Sequence, residues 1–143
     1  MDNLNILDYD YYFNITGSLL KEDTAKVLLF FDEILSRGFD GAHFIAGLSE
    51  HFRNLLVGKD QSTLKLLEVS EGIKTKYLQQ SQQASVSFLL SAMNIANQCD
   101  ISYKLSKNQR LQVELALLKM CHLPSVFNLA TTPLTVTSAT DGD

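Results

Sequence analysis

SKNQRLQVELALLKMC, from Ser106 to Cys121, carries more apolar surface than one face of a helix can hold. Leu111, Leu115 and Leu118 follow the helical period on one face, while Val113, Leu117, Met120 and Cys121 form a second apolar group displaced around the axis. An isolated surface helix needs only one such face. A helix apolar on most sides lies either at the centre of its own domain or between its domain and a neighbouring subunit, and the pattern leaves both open.

Outward from this segment the chain reads as a succession of helices with almost no credible strand. Asn108 is a natural N-cap for the segment itself. Before it, Ser85 caps a long helix towards Ser102, with Leu89, Met93 and Ala96 on one side and Phe88, Ala92, Ile95 and Cys99 on another. Glu71 to Gln83 reads as a polar helix anchored by Ile73, Tyr77 and Leu78, its glutamine-rich end in solvent. Leu64 to Val69, LKLLEV, fits a short helix or an edge strand, and its surroundings favour the helix.

Nearer the start, Tyr9 to Leu20 puts Tyr12, Ile15 and Leu19 on one face, with Asp8 as N-cap and Gly17 as a weak point. Asp23 caps a second helix, in which Val27, Leu28, Phe31, Ile34 and Leu35 recur at helical spacing until Arg37 and Gly38 supply a favourable end. Asp40 caps a third, whose stripe of Phe44, Ile45, Leu48, Phe52, Leu55 and Leu56 is broken at Gly58. Only Gly38 to Asp40 separates these two, which predicts antiparallel neighbours packed as a helical hairpin. The fold class is all-α, a compact bundle of about five or six helices. After His122, Pro124, Pro133 and the run TTPLTVTSATDGD cannot bury enough apolar surface to hold a fixed structure. Residues 1–122 therefore read as the domain and 123–143 as a flexible linker.

At 143 residues there is room for one domain with a substantial core. The 45% apolar and 20% charged fractions are those of an ordinary soluble protein, and no apolar run reaches the ~18 residues of a membrane span. The opening MDNLN lacks the basic and apolar regions of a secretory signal, which makes the cytoplasm the expected compartment. Cys99 and Cys121 sit in apolar helical contexts and read as buried thiols. A net charge of −4 and scattered basic residues, of which Lys104, Lys107 and Arg110 are the nearest to a cluster, argue against direct grip on nucleic acid.

A search for catalytic chemistry finds only partial matches. Gly58 and Lys59 resemble the end of a phosphate-binding loop, but Asp60 replaces the required hydroxyl residue and Arg53 stands where the first glycine should be. His43 and His51 lie eight residues apart, too far for the one-turn pair of a helical metal site. Asp8 and Asp10 suit the positive end of a helix rather than a metal. A hydrolase built on His51 with Glu50 or Asp100 has residue types and no motif. A helical adaptor that binds an amphipathic peptide is the other alternative, prompted by Met93 and Met120 among aliphatic neighbours. No catalytic, cofactor-binding or metal-ligating residue is assigned.

Four stretches resemble the third domain of the bacterial DNA polymerase III gamma/tau subunit, the collar or oligomerisation domain of the replicative clamp loader. They are Leu19 to Gly38 (LLKEDTAKVLLFFDEILSRG), Phe44 to Lys59 (FIAGLSEHFRNLLVGK), Leu66 to Ser70 (LLEVS) and Ser106 to Cys121. The family's terminal signature, Asn-Pro-Arg-Leu followed by Glu-Leu-Ala-Leu-Leu, is matched by Asn108, Arg110, Leu111 and Glu114 to Leu118. Gln109 departs from it, replacing a proline whose dihedral is preset for the first helical position. The opening NLNILDYDYYF is similar to versions of this subunit from the Bacteroides lineage.

The resemblance implies a non-catalytic module that joins other gamma/tau copies and the delta and delta-prime subunits in a closed collar. It also implies that the chain is a cut-out fragment, because the family's ATPase domains, which hold ATP and Mg and open the sliding clamp for DNA replication, precede this segment. On this reading one apolar side of each two-sided helix builds the core and the other meets a neighbouring subunit. The interface candidates are Phe88, Ala92, Ile95, Cys99, Val113, Leu117, Met120 and Cys121, with Arg110 and Glu114 pairing either within their helix or across the boundary. Arg53 has the same choice between its own helix and a partner's carboxylate.

Overall fold

Residues 9–131, which a computed structural model describes, form α1 (Tyr9–Leu20), α2 (Thr24–Ser36), α3 (Gly41–Val57), α4 (Gln61–Leu64), α5 (Glu71–Ser81), α6 (Val86–Tyr103) and α7 (Gln109–Thr131). Apart from the single turn of α4 these are six helices, and no strand occurs among the described residues. The expected cap at Asp8, the whole of the NLNILD stretch and residues 132–143 lie outside them.

Local side-chain chemistry starts most of the helices. Asp23 accepts from the Lys26 amide at the head of α2, Ser70 from Ile73 at α5, Ser85 from Phe88 at α6 and Asn108 from Leu111 at α7. Asp40 departs from expectation. It occupies the N-cap position of α3 but makes no capping bond, and its Oδ1 instead accepts from the Tyr103 hydroxyl at 3.0 Å. The carboxylate is spent on tying the start of α3 to the end of α6.

Both α1 and α2 finish in the same turn. After α2 the Phe39 amide reaches Ile34 O and the Gly38 amide reaches Leu35 O, with Gly38 at φ 93°. After α1 the Asp23 amide reaches Ser18 O and the Glu22 amide reaches Leu19 O, with Glu22 at φ 59°.

The hairpin expected of α2 and α3 does not form along their lengths. The two touch near their junction, where the Phe31 and Phe44 rings lie 5.4 Å apart, and then diverge. The physical reason is that the wide apolar face of α3 is claimed by α6, while α2 lies between α1 and α7. The α3–α6 pair is the spine of the core. Phe44, Ile45, Leu48, Phe52 and Leu55 meet Phe88, Leu89, Ala92, Ala96 and Cys99, and the two alanines let the backbones approach. Lys59 fastens the far end of this spine by donating to the carbonyls of Ser81, the last residue of α5, and of Ala84 beyond it.

α1 crosses α3 through Tyr12. Its ring stacks on Phe44, with centroids 6.0 Å apart and planes at 9°, and its hydroxyl lies over Gly47. A Cβ at Gly47 would stand 2.1 Å from the Tyr12 Oη and 2.6 Å from its Cζ, so glycine is required there by close approach.

α7 packs against α6, α1, α2 and α3. It also runs through Pro124 to Thr131, so the boundary expected at 122 falls inside a helix. Proline withdraws one helical donor, which bends a helix and need not end it. The amide that follows, Ser125, donates to Glu22 Oε2 at 2.6 Å.

Candidate subunit interface

Seven of the ten interface candidates are core residues. Phe88, Ala92, Cys99, Val113, Leu117, Met120 and Cys121 are each at most 5% exposed within the single chain, with Val113, Leu117 and Met120 at 0%. The choice of face on α7 is thereby reversed. Val113, Leu117, Met120 and Cys121 build the stripe that packs inward, and Leu111, Leu115 and Leu118, about half a turn around the axis, stand 45%, 42% and 39% exposed. Ile95 is half-buried beside the α6–α7 groove.

Arg110 is satisfied within the chain. Its Nε donates to Glu114 at 3.0 Å and its Nη2 to Asp32 of α2 at 2.9 Å, so the in-helix alternative holds and a second carboxylate joins it. Sequence spacing could disclose Glu114, one turn away, but not Asp32, 78 residues distant. Arg53 is exposed.

Apolar side chains are exposed on other elements too. Leu90 and Ile101 of α6 are exposed, as is Leu105 after it. Leu29 of α2 is exposed as well. Between α6 and α7 runs an open groove of about 300 Å³ lined by Asn94, Gln98, Ser102, Gln112, Leu115 and Lys119. The ridge is thus a strip of leucines edged by amides, a lysine and the Asp32–Arg110–Glu114 network. That arrangement matches an apolar contact with a polar rim.

Residues 4–132 match the family described as DNA polymerase III subunits gamma and tau domain III. The chain belongs to that family. Gamma/tau domain III is a non-catalytic helical domain of the clamp loader of DNA polymerase III, acting in DNA replication and associating with other clamp-loader subunits. The matched span ends one residue beyond α7. No curated protein and no solved structure matches the chain.

The alternatives fare differently in this gamma/tau domain III. Met120 is buried and Met93 is partly buried against the core, so neither lines an open methionine surface. Among the described residues no three of His, Cys, Asp and Glu lie close enough to hold a metal, and no helix is long and apolar enough to cross a membrane. His51 has no carboxylate among its hydrogen-bond partners. It is 2% exposed, its ring packs edge-on to Phe13 at 4.7 Å, and Nε2 lies 2.8 Å from Gln80 Oε1.

Gln80 fixes the tautomer. Its amide nitrogen donates to Phe13 O at 2.9 Å, so its oxygen faces His51 and Nε2 of the imidazole must carry the hydrogen. The glutamine expected in solvent instead bridges α1, α3 and α5. His51 Nδ1 then has no partner, and protonating it would leave a buried charge with no acceptor. Burial accordingly pulls the pKa down from 6.5 to about 4, with the Gln80 hydrogen bond opposing.

The sign follows from linkage. A histidine titrating lower in the folded chain than in the unfolded one contributes fully above pH 6.5, and that contribution is lost as pH falls towards 4. The expected loss is roughly 3 kcal/mol. Urea midpoints measured between pH 7.5 and 4.5 should fall more steeply for the parent than for His51→Gln. Parallel slopes would remove His51 as the responsible group.

Proposed function

We propose that this gamma/tau domain III is the oligomerisation module of its subunit. It holds gamma/tau copies, together with the delta and delta-prime subunits, in a collar, and the ATPase domains suspended from that collar load the sliding clamp. In this role the domain has no catalytic residue and no cofactor of its own, ATP and Mg being the business of the ATPase domains. Its setting is the cytoplasm, and nucleic acid and membrane are not its partners.

The observation that carries this reading is the ridge of Leu111, Leu115 and Leu118, three exposed leucines on the solvent side of a helix whose other side is already full. A standard interface removes about 800 Å² per partner, worth a large gross free energy at roughly 25 cal/mol per Å² before the entropy of association is subtracted. In a ring the contact is head-to-tail, so the ridge of one copy meets a different surface of the next.

Light scattering on a size-exclusion column across a wide concentration range tests it, first for the chain alone and then with delta and delta-prime added. The parent should form a discrete closed species in one of these settings. Leu115→Glu should weaken that assembly by at least about 100-fold while its circular dichroism melt stays with the parent's. Assembly of Leu115→Glu at parental concentrations would show that the ridge is not the contact.

A further inference from the structure

Two helices of this domain end in the same pair of backbone hydrogen bonds, but the residue at the left-handed position differs. Gly38, at φ 93°, holds it after α2, and Glu22, at φ 59°, holds it after α1. A side chain at that position costs roughly 1 kcal/mol relative to glycine. Such an outlier persists when its surroundings hold it, and the inference runs from the strained residue to what it does there.

Among the described residues Glu22 makes one hydrogen bond that glycine could not make. Its Oε2 accepts from the Ser125 amide at 2.6 Å, 103 residues away in sequence, and Ser125 follows the proline that interrupts the donor ladder of α7. One turn earlier Thr24 Oγ1 donates to Cys121 Sγ at 3.6 Å, so the α1–α2 turn grips α7 on both sides of Pro124. A carboxylate that accepts a backbone amide is among the stronger hydrogen-bond acceptors, and here it meets the helix where proline has loosened it.

We infer that Glu22 is a latch that fixes the segment of α7 after Pro124, residues 125–131, on the body of the domain, and so sets the direction in which the chain leaves it. The left-handed backbone aims the carboxylate, and the carboxylate holds the helix. This function is independent of the leucine ridge.

Glu22→Gly separates the two roles, because it relieves the backbone and deletes the latch. Hydrogen exchange on the full chain should show the amides of residues 125–131 exchanging roughly five- to tenfold faster, with Tm unchanged or raised. Glu22→Gln keeps an acceptor oxygen in the same place without the charge and should fall between Glu22→Gly and the parent, about two- to threefold faster than the parent. Unchanged exchange in Glu22→Gly would reduce Glu22 to an ordinary helix end. Faster exchange throughout the core, or a Glu22→Gln as fast as Glu22→Gly, would equally overturn the latch.

Discussion

Leu117→Glu is expected to unfold the domain, whereas Leu115→Glu, two residues away, leaves it folded. Leu117 is completely buried on the stripe of α7 that faces the core. Removing its side chain alone would cost about 2–5 kcal/mol through lost burial and the cavity left behind. A glutamate adds a carboxyl group with no partner, which ionises at a further penalty or stays protonated with its pKa raised by several units. The sum exceeds about 5 kcal/mol, against a usual domain stability of roughly 5–15 kcal/mol. At pH 7 the Tm should fall by roughly 15 °C or more, or the cooperative melt should vanish. Leu115, at 42% exposed, offers the new carboxylate water, and its melt should move by no more than about 1 kcal/mol. Matching melts for the two variants would mean that the inward and outward faces of α7 have been exchanged.

Gly47→Ala should also destabilise the domain, by less than Leu117→Glu but by more than a one-carbon change usually does. The added methyl would overlap Tyr12, whose ring cannot swing aside because it is stacked on Phe44 and flanked by the His51 ring 6.1 Å away. Relief requires α1 to shift off α3 or Tyr12 to leave its rotamer, and overpacking of this kind costs about 1–3 kcal/mol. Alanine would otherwise stabilise a helix interior by roughly 0.5–1 kcal/mol, so a loss at Gly47 runs against propensity and isolates the steric effect. Paired with Tyr12→Phe the loss should shrink, because the phenol oxygen is the nearest obstruction. Denaturant midpoints of the two single variants and the double variant measure the coupling, and strict additivity would show that Tyr12 is not the obstacle.

The helices were legible in the sequence because their signals are local. Asp23, Ser70, Ser85 and Asn108 each lie within three residues of the amide they cap, and apolar period is a property of one segment. What depended on distant residues was not. Asp40 looks like a cap until Tyr103 arrives from 63 residues away, and Gln80 looks like a solvent-facing residue until His51 and Phe13 close around it. The two faces of α7 are a subtler case. Both are apolar, and hydrophobicity cannot rank them. The distinguishing signal is size, since Ala116 shares the buried side with Val113 and Met120 and faces a helix carrying Ala92 and Ala96. Small residues recurring on two neighbouring helices mark where their backbones come close, and the uniform leucines were left outside.

The position of α7 at the end of the described fold has a bearing on how the protein is made. A ribosome that has completed α1 to α6 has exposed a slot waiting for Val113, Leu117 and Met120, and the ends of α1 and α2 have nothing to close upon until α7 emerges. Final packing therefore waits for the last helix. Because the leucine ridge and the core stripe are opposite sides of that same helix, each nascent chain shuts its own interior in the act of presenting its outer surface. Until α7 has packed, the ridge has no ordered helix to stand on.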